Sequence, residues 1–102
     1  MLFQITHVHT NETCPGTMPE LMARLAQWWD GLKQSPDVKV LAGYVSSMDH
    51  TFHITLEADD NAALARAVGP LNALGTGHTS PVITLDQAIP LADTGAFRLP
   101  GG

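Results

Sequence analysis

The chain has 102 residues, enough for one domain with a modest core that oligomerisation would help to complete. Its formal net charge is −5, and its five basic residues, Arg24, Lys33, Lys39, Arg66 and Arg98, form no run. That argues against nucleic acid and against an anionic membrane surface, both of which need a basic footprint. Only 15% of the residues are charged, which suits a protein that hides surface in a partner subunit. The single cysteine, Cys14, cannot form an intramolecular disulfide. No segment is apolar for long enough to span a bilayer, and Met1-Leu2-Phe3-Gln4 lacks the basic and apolar blocks of a signal peptide. A cytoplasmic location is expected.

Leu2 to Thr10 alternates, is rich in β-formers and predicts a first strand. A loop follows over residues 11–16. Thr17-Met18-Pro19-Glu20 fits a capping box, so a helix is expected to open there, with Pro19 tolerated in its first turn. Met18, Leu21, Met22, Leu25, Trp29 and Leu32 form its apolar stripe, and Ser35-Pro36-Asp37 ends it. Trp28 lies beside that stripe, and both tryptophans suit core or dimer packing.

Residues 38–46 predict a second strand, with Val38, Val40, Ala42 and Tyr44 on one face. Residues 51–58 predict a third. Phe52, Ile54 and Leu56 face one way and Thr51, His53, Thr55 and Glu57 the other. Asp59-Asp60-Asn61 reads as a helix cap rather than an acid pair. The second helix carries Leu64, Ala67, Val68, Leu71 and Leu74, is interrupted by Gly69-Pro70, and stops at Gly75. A fourth strand is expected from His78 to Leu85, with Pro81 marking it as an edge. Beyond residue 86 the pattern weakens. Residues 1–90 are expected to form the domain and residues 91–102 an arm, with apolar Phe97 and Leu99, laid across a neighbouring subunit.

The order β-α-β-β-α-β is the split βαβ, ferredoxin-like arrangement of the α+β class. Each helix has one apolar stripe, so both pack on one sheet face and the other face stays open.

The chain order and length, together with Thr6-His7-Val8-His9-Thr10 and Cys14-Pro15, His50-Thr51-Phe52 before Glu57-Ala58-Asp59-Asp60, and Ser80-Pro81-Val82-Ile83-Thr84-Leu85, resemble the dimeric α/β-barrel superfamily over residues 1–90. The resemblance implies a dimer whose open sheets close a barrel, and a ligand pocket. That superfamily includes cofactor-free monooxygenases, isomerases, haem enzymes and metal-binding proteins, so the resemblance selects no chemistry.

The most informative feature is local. Three of the chain's six histidine and cysteine residues, His7, His9 and Cys14, fall within eight residues. In a strand His7 and His9 share a face. With strand order 4-1-3-2, and the first and third strands taken as parallel, His78 and Glu57 join the His7 and His9 end, while His50 and His53 lie at the opposite edge. The expected ligands are His7, His9 and His78, with Cys14 and His50 in reserve; Glu57 is another candidate to complete the set. His53, Glu57, Tyr44 and Gln4 are expected to line a pocket. Imidazole and thiolate donors suit zinc, copper or nickel. A structural role competes with this, because single strand histidines are commonly just hydrogen-bonded and a lone cysteine commonly just packed. No Gly-rich phosphate loop, nucleophile elbow or CxxC pair is present.

Three readings stand at this point. The first is a metal site, with a metal-dependent small-molecule reaction if one position stays open. The second is a cofactor-free monooxygenase or isomerase using pocket histidines as acid and base. The third is a non-catalytic module that senses a metal or ligand.

Overall fold

A computed structural model describes residues 1–96, 98 and 99. Phe97, expected on the arm, lies outside the described residues. Four strands, β1 (Leu2–His9), β2 (Val38–Ser46), β3 (Thr51–Ala58) and β4 (Gly75–Val82), form one sheet in the order β2-β3-β1-β4. The order is the expected one, and Pro81 does sit on an edge strand. The pairing of the first and third strands is not as expected: β1 and β3 are antiparallel, as is every neighbouring pair. In a β-α-β-β unit the crossover through α1 returns β2 parallel to β1, and the β2–β3 turn alone reverses the direction, so β3 runs against both. In this order every neighbouring pair therefore runs in opposite directions. Leu2 pairs with Glu57 and Val8 with Thr51.

Helix α1 (Pro19–Gln34) starts one residue later than its capping box predicts, with Met18 rather than Thr17 at the cap. The Thr17 hydroxyl instead donates to the Cys14 carbonyl at 3.0 Å, closing a 3-10 turn over Pro15–Thr17. Helix α2 (Asn61–Val68) is capped as expected, with the Asp60 carboxylate accepting from the Ala63 amide at 2.8 Å. Gly69-Pro70 turns its continuation into a 3-10 segment ending at Ala73. The Trp28 indole N–H ties the helices together by donating to the Ala67 carbonyl at 2.9 Å.

The core lies between these helices and one sheet face: Phe3, Ile5, Ile54, Leu56, Leu32, Leu64 and Leu71 are all buried. Burying such a side chain stabilises the fold by about 1.5–3 kcal/mol. Both tryptophans pack against this core, whereas Met18 and Met22 are exposed. A bulge between Val40 and Ala42 shifts the β2 register. Val38 and Val40 thus pair with core residues, and Tyr44 comes opposite His53 on the open face, not on one face with Val38 and Val40 as expected.

Two boundaries also move. Gly75 begins β4 rather than ending a helix. A Cβ there would collide with the Val8 carbonyl, so glycine is what lets β4 approach β1. Past β4 the chain forms a third helix, α3 (Leu85–Asp93), where no helix is expected. Thr84 and Gln87 hold its start with reciprocal bonds of 3.1 and 3.0 Å.

Candidate metal centre

The β1 sequence places Phe3, Ile5, His7 and His9 on the helix-covered face. His7 is 2% exposed and His9 5%, so two imidazoles occupy positions at which the strand otherwise places core side chains. Neither ring nitrogen of His7 has a hydrogen-bond partner, and neither does His9 Nδ1. A buried polar atom without a partner costs roughly 1–3 kcal/mol. Two such residues side by side are a cost that packing alone does not explain.

The antiparallel register brings the β2–β3 turn to the end of β1. The His9 amide donates to the His50 carbonyl at 3.0 Å, and the two rings meet edge to face with centroids 5.1 Å apart. His50 has φ 52°, a left-handed conformation uncommon outside glycine. Its turn is held by Ser46, whose hydroxyl donates to the Asp49 carboxylate at 3.0 Å, and by Thr51, whose hydroxyl donates to the Asp49 carbonyl at 2.9 Å.

Cys14 arrives from the other side. After β1 a 3-10 turn over Asn11–Thr13 is fixed by Thr13, whose hydroxyl oxygen accepts from the Thr10 amide at 3.0 Å. The Pro15–Thr17 turn then follows, and Cys14 is the hinge between the two. One ring nitrogen from His9, one from His50 and the Cys14 Sγ lie within 4.8 Å of one another. Donors around a tetrahedral ion at about 2.0–2.3 Å are closer together than that, so small side-chain rotations would close the set. No fourth His, Cys, Asp or Glu among the described residues joins the cluster.

Burial lowers the pKa of His9 from its ordinary value, and the neighbouring His50 and His7 lower it further. Burial also lowers that of His7. The carbonyls of Leu71 and Gly75 near the His7 ring pull the other way, although neither makes a hydrogen bond of good geometry with it. Both imidazoles are thus biased toward the neutral form, the one that ligates metals.

The expected site residues divide between two places. His9, Cys14 and His50 meet. His7 stands behind them on the same face, stacked on Phe52 at 6.0 Å, and is not in the triad. His78 lies opposite Thr6, on the open face, because β4 begins at Gly75 and places Gly77 against His7. Glu57 sits beside Leu2 at the far end of the sheet, since β3 runs antiparallel to β1. His53, Tyr44 and Gln4 also lie on the open face, where the Thr55 hydroxyl donates to the Gln4 side-chain oxygen. His50, expected at the opposite edge, is a member of the cluster. Counting residues back from an antiparallel β1–β3 pair would have placed it there.

In the sequence Phe52 reads as a core-face residue and as part of His50-Thr51-Phe52, with no sign of a place beside the site. Its ring touches His7 and lies 5.0 Å from that of His9. It also lines an apolar cavity of about 300 Å³ between α1 and the sheet, with Met22, Leu25, Trp29, Gly43 and Val45.

The family model described as "Domain of unknown function (DUF3303)" matches residues 1–96. Among solved structures, one described as "Crystal structure of antibiotic biosynthesis monooxygenase" is similar, with a TM-score of 0.54 and 22% identity. The match covers 83% of this chain and 99% of that one, and at this identity it shows a common ferredoxin-like fold. No curated protein matches the chain. No helix among the described residues is long and apolar enough to cross a membrane.

Proposed function

The chain belongs to the DUF3303 family, and we propose that it is a transition-metal-binding protein whose ion is held by His9, His50 and Cys14. One observation carries this reading. A nine-tenths-buried imidazole, His9, with an unpartnered ring nitrogen, meets a second imidazole and a thiol at near-coordination distance. Two nitrogens and a sulfur suit zinc or copper first and nickel next. Structural zinc sites are usually closed by four protein ligands, whereas this set has three. The fourth position is free for water or a small molecule, which is what metal-dependent hydrolysis or oxygen chemistry requires.

Elemental analysis of tag-free protein beside a Cys14→Ser variant and a His9→Ala/His50→Ala variant tests the proposal. About one zinc, copper or nickel per chain, lost in both variants while circular dichroism stays unchanged, is the expected result. Cobalt-loaded wild type should also show thiolate-to-cobalt charge-transfer absorption that Cys14→Ser lacks. Metal-free protein that takes up none of these ions on reconstitution overturns it.

A second reading has its own support. The cavity bounded by Phe52 and Trp29 is apolar, and buried His7 is contiguous with it through Phe52. A neutral imidazole next to an apolar ligand space suits a metal-free monooxygenase or isomerase. Turnover of a small aromatic substrate that survives removal of all metal but not His7→Ala would favour that reading over the first. A ligand or metal sensor would bind without turnover.

A further inference from the structure

The three groups of the cluster are unequal in charge and in access. His9 and His50 are imidazoles, each with a buried and unpartnered Nδ1. A neutral imidazole brings no charge to a metal, so the Cys14 sulfur is the one anionic donor of the set. No carboxylate among the described residues joins the cluster to take its place.

Access is just as uneven. His9 is buried, whereas Cys14 is only half-buried. Gly16, an exposed residue, stands beside the sulfur. A Cβ at Gly16 would lie 3.5 Å from the Cys14 Sγ, in ordinary contact with it. The φ of Gly16 is not positive, so the turn does not itself require glycine there. What glycine does at this position is leave one side of the sulfur uncovered.

The backbone around Cys14 is held by other means. The Thr17 amide and hydroxyl both donate to the Cys14 carbonyl, at 3.1 and 3.0 Å. The Thr10 amide donates to the Thr13 hydroxyl oxygen and fixes the turn before it. Neither anchor uses the sulfur, so the sulfur can change chemically while both turns stay closed.

A reachable metal-bound thiolate is where a small oxidant acts first. We propose that Cys14 is a peroxide-sensitive ligand: oxidation of its sulfur to a sulfenic acid opens the site and releases the ion. The proposal rests on the metal reading above. The thiolate sulfur attacks one oxygen of hydrogen peroxide. An S–O bond forms as the O–O bond breaks, and the second oxygen leaves as hydroxide, which takes a proton from solvent to become water. Sulfur loses two electrons and peroxide gains them. The sulfenic acid is neutral and a poorer donor, and two imidazoles alone remain. The chain has no second cysteine, so no internal disulfide traps the oxidised state. Return needs a small external thiol. It displaces the sulfenic oxygen as water to give a mixed disulfide, and a second thiol then regenerates Cys14.

Zinc-loaded full chain treated with hydrogen peroxide tests it, with dimedone to trap sulfenic acid and a chromogenic chelator to read released zinc. About one zinc is expected to leave for each Cys14 that carries the trap. A parallel sample without dimedone should bind zinc again after reduced glutathione. Gly16→Val should hold zinc as wild type does and release it about tenfold more slowly, because oxidation follows exposure of the sulfur. Zinc retained while Cys14 carries the trap, zinc released with Cys14 unmodified, or wild-type release from folded Gly16→Val would each overturn this inference and leave the metal site standing. If Gly16→Val does not fold, the first two results decide by themselves. A chain that holds no zinc, copper or nickel before peroxide is added overturns the metal site and this inference with it.

Discussion

His9, the last residue of β1, and His50, in the turn before β3, are joined twice: by a 3.0 Å hydrogen bond from the His9 amide to the His50 carbonyl and by an edge-to-face contact of their rings. Forty-one positions apart in the sequence, they become neighbours because β1 and β3 run antiparallel. That relationship chooses which histidines can share an ion, and it leads to the first prediction.

Replacing His50 and replacing His78 should have opposite consequences. His50→Ala removes a ligand and should weaken metal affinity by more than the 10–100-fold that loss of a merely supporting residue costs. His78→Ala, on the other sheet face, should leave affinity unchanged within about twofold. Competition titrations against a chelating dye measure both. Loss of metal in His78→Ala with retention in His50→Ala would reverse the proposed ligand set.

Two glycines should respond in opposite directions to alanine. At position 75 a Cβ meets the backbone of β1, which cannot step aside, so Gly75→Ala should destabilise by roughly 1–3 kcal/mol. At position 31, inside α1, a Cβ meets nothing within 4 Å, so Gly31→Ala should stabilise by about 0.5–1 kcal/mol. Urea unfolding of metal-free protein distinguishes the two signs.

Stability of the metal-free protein should fall on mild acidification. His7 and His9 have folded-state pKa values below the ordinary 6.5. The unfolded chain therefore takes up protons at these residues before the folded chain does. Stability is complete above about pH 6.5 and is lost as pH falls from there through the folded-state values, by about 1.36 kcal/mol per unit of difference at each residue. Urea midpoints measured from pH 7.5 to 5 should decline, and His7→Leu should flatten the decline. A midpoint that rises on acidification in that range contradicts the burial of two neutral imidazoles.

Helix α3 carries its own local start signal, although the pattern beyond residue 86 predicts no helix. Thr84-Leu85-Asp86-Gln87 is a capping box of the same form as the one read at Thr17. Pro90 and the glycine-containing tail masked it, although Pro90 costs only one backbone bond in so short a helix. At Thr17 the opposite happened. The local pattern was present, but the Thr17 hydroxyl was drawn to the Cys14 carbonyl, and Pro19 set the start of α1. Local capping chemistry competes with whatever else lies within reach of a hydroxyl.

The sequence by itself determined the alternation of elements, the edge position of β4 and the shared face of His7 and His9. These follow from period-2 and period-3.6 patterning, from Pro81 and from strand geometry, all of which are local. Only the tertiary structure decided which residues His9 meets. Strand direction depends on the α1 crossover returning β2 parallel to β1 before the β2–β3 turn reverses the chain, and register depends on where Gly75 and the bulge at Val40/Ala42 let the strands approach. A one-residue shift sends a side chain to the other face of the sheet, and that step separates His78 from the cluster. Antiparallel pairing of β1 with β3 brings His50 into it.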